Sequence, residues 1–78
     1  MTADAFRAQL RLQPFHQFLV KTADGDTFVV QHPDYAMISP EGTEVIIYEK
    51  DNHYRAIAMP QIVSIEPARN GAKRPGRR

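Results

Sequence analysis

The chain lacks cysteine and tryptophan, and it has no long apolar run. Without cysteine neither a disulfide nor a thiolate metal site is available, so a fold of this size depends on packing or on self-association. No stretch approaches the roughly 18 apolar residues of a membrane-spanning helix. The N-terminus also lacks the basic and then apolar segments of a signal peptide. We therefore expect a cytoplasmic protein that does not act at a membrane.

The residue patterns of common catalytic sites are also missing. All four glycines are isolated, which excludes a glycine-rich phosphate-binding loop. Neither Ser39 nor Ser64 lies in a Gly-x-Ser-x-Gly setting. The three histidines have no His-x-x-x-His or equivalent spacing for metal ligands. From these patterns we expect no enzyme, no metal site and no cofactor.

Basic residues are scarce in most of the chain and concentrated at its C-terminal end. Residues 1–67 carry five basic and nine acidic side chains, a net charge of −4, whereas residues 68–78 carry five basic side chains and no acidic one. Residues 68–78 contain no large apolar residue, so we expect one domain at 1–67 followed by a disordered basic tail. The cations of this basic tail are Arg69, Lys73, Arg74, Arg77 and Arg78.

The basic tail is the candidate nucleic-acid-binding segment. Five cations within eleven residues can neutralise a few phosphates and give weak, salt-sensitive binding. No aromatic residue is interleaved to stack on bases, so sequence preference is not expected. Two other roles stay open, namely a solubilising tail and intramolecular screening of the acidic body.

The most apolar stretch of the chain is Thr43–Tyr48, which is rich in β-branched and aromatic side chains. In a strand, Val45 and Ile47 face one way while Ile46 and Tyr48 face the other. A strand that is apolar on both faces must be covered on both sides, as at the centre of a small closed or strongly bent sheet. Too few large apolar residues remain to provide both covers within one copy, which favours self-association by strand pairing.

Turn signals divide the rest of the chain into one helix and five or six strands. Thr2 suits the N-cap of a helix that ends near Leu12, ahead of Pro14. Asp24-Gly25 predicts a two-residue hairpin turn with positive φ at both positions. Hairpins joined by short turns favour an antiparallel meander, so we predict a mainly β fold with one N-terminal α-helix, arranged as a small bent antiparallel barrel or half-barrel. The predicted strands cover residues 15–22, 26–31, 35–39, 43–50, 53–59 and 62–66.

This order of elements resembles the Sm-like fold, in which an N-terminal helix precedes five strongly bent strands. The chain is similar to the bacterial Sm-like RNA chaperone in the Asp24-Gly25 turn, in Pro33-Asp34-Tyr35-Ala36, and in the last strand closed by Pro67. The resemblance implies an Sm-like or SH3-like barrel. It does not extend to the family's RNA-binding Tyr-Lys-His, because that position reads Ala58-Met59-Pro60-Gln61.

A second pattern resembles a group of small uncharacterised bacterial proteins. It consists of Pro14-Phe15-x-x-Phe18, Asp24-Gly25, His32-Pro33-x-Tyr35 and a final Ile-x-Ser-Ile. That group has no activity to carry over. We therefore expect a non-enzymatic binding or interaction module with a protein partner or a second copy, and the alternative is an RNA-associated Sm-like protein that uses the basic tail.

One polar corner stands out within the body. His32, Asp34 and Tyr35 bring an imidazole, a carboxylate and a phenol within four residues at a break in the sheet, where loops tend to carry function. The structural alternative is a corner in which His32 or Asp34 hydrogen-bonds the exposed backbone.

Overall fold

The computed structural model describes residues 1–49 and 52–68. This part of the chain contains one α-helix and six β-strands in two small antiparallel sheets, so the predicted fold class is confirmed as mainly β with one N-terminal helix. The disorder predicted for the basic tail falls almost entirely on residues 69–78, which lie outside the described residues. The elements are α1 (Ala3–Leu10), β1 (Phe18–Thr22), β2 (Thr27–Val30), β3 (Ala36–Ile38), β4 (Glu44–Tyr48), β5 (Tyr54–Ala58) and β6 (Ile62–Pro67).

Helix α1 begins where its capping residue predicts. The Thr2 hydroxyl accepts a hydrogen bond of 3.1 Å from the Ala5 amide, which satisfies one of the free donors of the first turn. Phe6 is fully buried and packs edge-on against Phe18 of β1, with ring centroids 5.5 Å apart. The helix is short, so this docking rather than intrinsic propensity holds it in place.

The strands pair differently from a meander. The first sheet has the order β2-β1-β6, and the second has the order β3-β4-β5. The last strand therefore returns to the first strand, with Phe18 opposite Pro67, instead of extending the preceding hairpin. In the described part of the chain these pairings leave two open sheets and do not close a barrel.

The first hairpin forms at the predicted place but with a different turn. Only Gly25 has positive φ, at +93°, and the Thr22 amide donates to the Asp26 carbonyl while the Gly25 amide donates to the Thr22 carbonyl. The loop is thus three residues long, a type I turn followed by a left-handed glycine. The prediction of a two-residue turn with two positive φ angles was wrong, because the Thr22 hydroxyl bonds both the Asp24 carboxylate and the Asp26 amide and favours the longer loop.

The β3–β4 turn also depends on a glycine. The Gly42 amide donates to the Ser39 carbonyl, as expected for a type I turn over residues 39–42. Gly42 has φ of +74°, and a Cβ atom there would lie 3.2 Å from the Ala3 Cβ atom. The turn therefore packs directly against the first turn of α1.

A single core joins the helix to both sheets. The inward faces of β1 and β2 supply residues at alternate positions, as the sequence pattern predicts, and α1 covers part of that layer. The core residues are Phe6, Phe18, Val20, Phe28, Val30, Ala36, Val45, Ile47, Ile57, Met59 and Ile62.

Strand β4 is covered on one face only. Val45 and Ile47 are fully buried, but Ile46 is half-buried and Tyr48 is 38% exposed. The expectation that both faces are covered is therefore not met within one copy of the chain. The uncovered face belongs to the outside of the second sheet, which is described below.

Candidate functional site

The polar corner of His32, Asp34 and Tyr35 forms a short 3₁₀ turn over Pro33–Tyr35. The His32 Nδ1 atom accepts a hydrogen bond of 3.4 Å from the Asp34 amide and lies 3.9 Å from an Asp34 carboxylate oxygen. The His32 and Tyr35 rings are 6.0 Å apart. His32 thus caps the turn, as in the structural alternative proposed from the sequence, while its side chain remains largely exposed.

No metal site is formed within residues 1–49 and 52–68, where no three His, Asp or Glu side chains converge. The five tail cations predicted to bind nucleic acid, Arg69, Lys73, Arg74, Arg77 and Arg78, lie outside the described residues. In the described part of the chain, the candidate binding sites are therefore the surface clefts and the exposed faces of the sheets.

A cleft with a volume of about 580 Å³ brings together two stretches that are distant in sequence. One stretch is β2 with the 3₁₀ turn that follows it, and the other comprises Tyr48, Glu49 and Asn52. Two members of the polar corner, Asp34 and Tyr35, line it, whereas His32 does not. The lining residues are Thr27, Phe28, Val29, Gln31, Asp34, Tyr35, Tyr48, Glu49 and Asn52.

The described lining of this cleft is negatively charged. Asp34 and Glu49 contribute carboxylates, and no lysine or arginine lines the cleft among residues 1–49 and 52–68. The Asp34 side chain is 89% exposed and forms no ion pair with a lysine or arginine of that part of the chain. Arg55 lies nearby, over the Phe28 ring at 5.1 Å, but it pairs with Asp26 at 3.5 Å and lines a separate cleft of about 150 Å³.

One wall of the cleft is the open edge of a sheet. β2 is an edge strand, with β1 as its neighbour on one side. In antiparallel strands, hydrogen-bonded residue pairs alternate with pairs that are not hydrogen-bonded. The Thr22 amide donates to the Asp26 carbonyl, so the next hydrogen-bonded pairs along this hairpin are Val20–Phe28 and Phe18–Val30. The backbone groups of the intervening residues Thr27 and Val29 consequently point away from β1, on the cleft side of the strand.

A second exposed feature is the outer face of the β3-β4-β5 sheet, which we call the outer apolar face. Met37 lies opposite Ile46, and Ile46 lies opposite Ala56. In the adjacent row, Tyr48 lies opposite Tyr54 with ring centroids 5.5 Å apart. Met37 is 54% exposed and Tyr54 is 59% exposed, so these rows form a contiguous uncovered patch.

Sequence reasoning assigned several of these residues to strands but did not identify either surface. Tyr54 and Ala56 were expected to share a face of the fifth strand, and they do. The signal for the outer apolar face was the presence of apolar residues on both faces of β4, since a small chain cannot cover both. The cleft had no local signal, because Gln31, Tyr48 and Asn52 meet only in the fold.

Within the described residues no helix is long and apolar enough to cross a membrane. Comparison of the chain with protein-family models, with curated proteins and with solved structures found no match.

Proposed function

We propose that this chain is a small non-enzymatic interaction module that uses the outer apolar face to bind protein, with a second copy of itself as the first partner. The observation that supports this proposal is the exposure of Met37, Tyr48 and Tyr54 in adjacent cross-strand rows. Single exposed apolar residues are ordinary, but a contiguous apolar patch is typical of an interaction site. Aromatic side chains and methionine are also enriched in the centres of protein interfaces.

The energetics favour a partner on this face. Fully burying a large apolar side chain contributes about 1.5–3 kcal/mol. Several such side chains together can offset part of the entropy lost on association. The outer edges of β3 and β5 lie beside this face, so strand pairing and face-to-face packing are compatible modes of self-association.

Sedimentation equilibrium of the full chain tests the proposal. We expect reversible association that Tyr54→Glu abolishes, because a carboxylate in the patch is desolvated on binding. Val63→Glu is the matched control, since Val63 is 61% exposed on β6, outside this sheet. A wild-type chain that remains monomeric up to about 1 mM, the range of very weak complexes, would contradict self-association through this face.

The second candidate is an RNA-associated protein of Sm-like or SH3-like half-barrel type. Its support is the arrangement of two three-stranded sheets around one core, with the proline-containing turn at Pro33–Tyr35 joining them. The adjacent exposed rings of Tyr48 and Tyr54, tilted by 36° to one another, are a surface on which bases can stack. Binding to single-stranded RNA should then weaken with salt and depend on residues 68–78, and unchanged affinity after removal of those residues would contradict it.

We also propose that the protein is cytoplasmic and that it belongs to a group of small bacterial proteins. The first is supported by the lack of cysteine. The second is supported by the Pro14-Phe15-x-x-Phe18, Asp24-Gly25 and His32-Pro33-x-Tyr35 pattern.

A further inference from the structure

We propose that the acidic cleft along the open edge of β2 is bound by the chain's own basic C-terminal residues 69–78. The cleft adjoins the outer apolar face at Tyr48, but its proposed occupant is a segment of the same chain, so this inference does not rest on self-association.

Charge complementarity is the first support. Among the residues that the structure describes, the cleft is lined by the carboxylates of Asp34 and Glu49 and by no lysine or arginine. In the sequence, residues 49–51 carry a net charge of −1. Residues 69–78 carry five cations and no acid, while residues 1–67 carry a net charge of −4. A cationic segment attached to an acidic body is attracted to it at a high effective concentration, so even weak ion pairs become populated.

The second support is that the segment is long enough to extend from the end of β6 to the cleft. Pro67 lies opposite Phe18, and Phe18 lies opposite Val30, so the end of β6 is two strand spacings, about 10 Å, from the end of β2. The Ala68 amide donates to the Gln17 carbonyl, which fixes the chain at this end of the sheet. A strand added outside β2 lies one spacing further, about 15 Å from β6, which about four or five extended residues cover. Lys73 and Arg74 can then run beside β2.

The direction of such a segment suits strand addition. β6 ends at the same end of the first sheet as β2, so a chain that crosses to the cleft and turns back runs antiparallel to β2. Thr27 and Val29 present their amide and carbonyl groups to this side, and an added strand satisfies them by β-augmentation. Pro75 cannot donate to a ladder, so we place the paired residues before it.

The walls of the cleft also suit guanidinium and ammonium groups. Tyr35 and Tyr48 both line the cleft, and they are 44% and 38% exposed. Arginine stacks on aromatic faces and pairs with carboxylates through its planar fork. The combination of two phenol rings with two carboxylates therefore fits an arginine- and lysine-containing strand better than an anionic or apolar ligand.

A spin label on the full chain tests the inference. The chain has no cysteine, so Ala72→Cys provides a single attachment site for a nitroxide. We expect the label to broaden the amide resonances of Thr27, Val29 and Gln31, and to leave those of the residue 39–43 turn, at the far end of β4, much less affected. Broadening should be strong at about 10 mM salt and largely lost at about 1 M, where the Debye length falls to about 3 Å.

Charge-neutral variants separate the cleft from general attraction to an acidic body. Asp34→Asn together with Glu49→Gln should reduce the broadening at Val29 severalfold, whereas Glu41→Gln together with Glu44→Gln, which removes two exposed acids outside the cleft, should not. If about ten wild-type chains have the segment bound for each chain that has it free, the Val29 amide should exchange its hydrogen about tenfold more slowly than in the Asp34→Asn, Glu49→Gln chain. Equal effects of the two variant pairs would overturn the assignment to this cleft.

A mixed sample shows whether the bound segment belongs to the same molecule or to a second copy. Isotope-labelled chain without the nitroxide is mixed with unlabelled chain that carries it. We expect little broadening of the labelled copies, since the segment binds within its own molecule. Strong broadening in the mixture would assign the segment to a second copy and overturn the intramolecular placement. Uniform broadening over the whole body would overturn it as well, because it indicates a tail without a defined site.

Discussion

Replacing Phe6 by alanine removes the side chain that anchors α1 in the core. Phe6 has no solvent exposure and makes an edge-on contact with Phe18. Truncating a buried phenylalanine costs about 3–5 kcal/mol of the free energy of unfolding. A single core in a chain of this size supplies only about 3–5 kcal/mol in total. We therefore expect the Phe6→Ala chain to be largely unfolded at 25 °C, although Phe6 belongs to a helix of only eight residues.

Urea unfolding followed by far-ultraviolet circular dichroism measures this effect. Phe6→Leu removes three side-chain carbons where Phe6→Ala removes six, so it should cost roughly half as much, about 1.5–2.5 kcal/mol. Leu12→Ala is the control, because Leu12 is 40% exposed beyond the end of α1 and should change stability by no more than about 0.5 kcal/mol. If Phe6→Ala destabilises no more than Leu12→Ala, the helix is an appendage and not part of the cooperative core.

Three further substitutions test local features of the fold. Thr2→Ala should lower the free energy of unfolding by about 1 kcal/mol through loss of the N-cap to the Ala5 amide, and Thr2→Ser should restore most of it. Ser39→Ala should cost about 1 kcal/mol in urea unfolding, because its hydroxyl accepts two backbone amide bonds in the β3–β4 turn; an unchanged midpoint would contradict that role. Arg55→Gln should cost no more than about 1 kcal/mol, with a smaller effect at high salt, because its pair with Asp26 is half-exposed.

Sequence alone predicted the parts of this fold that depend on local pattern. Strand alternation puts Phe18 and Val20 on one face of β1, and Phe28 and Val30 on one face of β2, and the structure buries all four residues. The N-cap at Thr2 was also predicted, because capping requires only a short polar side chain at one position. These features are decided by neighbouring residues, so they do not need knowledge of the rest of the chain.

The features that depend on non-local packing were predicted less well. An apolar strand such as Glu44–Tyr48 indicates burial, but its sequence cannot specify whether its second face is covered by the same chain. The return of Ile62–Pro67 to pair with β1 carries no local signal either, since that strand follows β5 after a short turn in either topology. The cleft and its acidic lining arise from this same non-local geometry, which is why only Asp34 and Tyr35 of its residues were singled out beforehand.

The pairing of Phe18 with Pro67 also has a consequence during synthesis. Each residue of β6 is synthesised 40 to 49 residues after the residue of β1 with which it pairs. At about 5–20 residues per second, the first hairpin therefore waits about 2–10 seconds for the strand that completes its sheet. Throughout that interval the backbone of β1 has no partner on its β6 side, so the nascent chain exposes an open sheet edge with which other chains can pair.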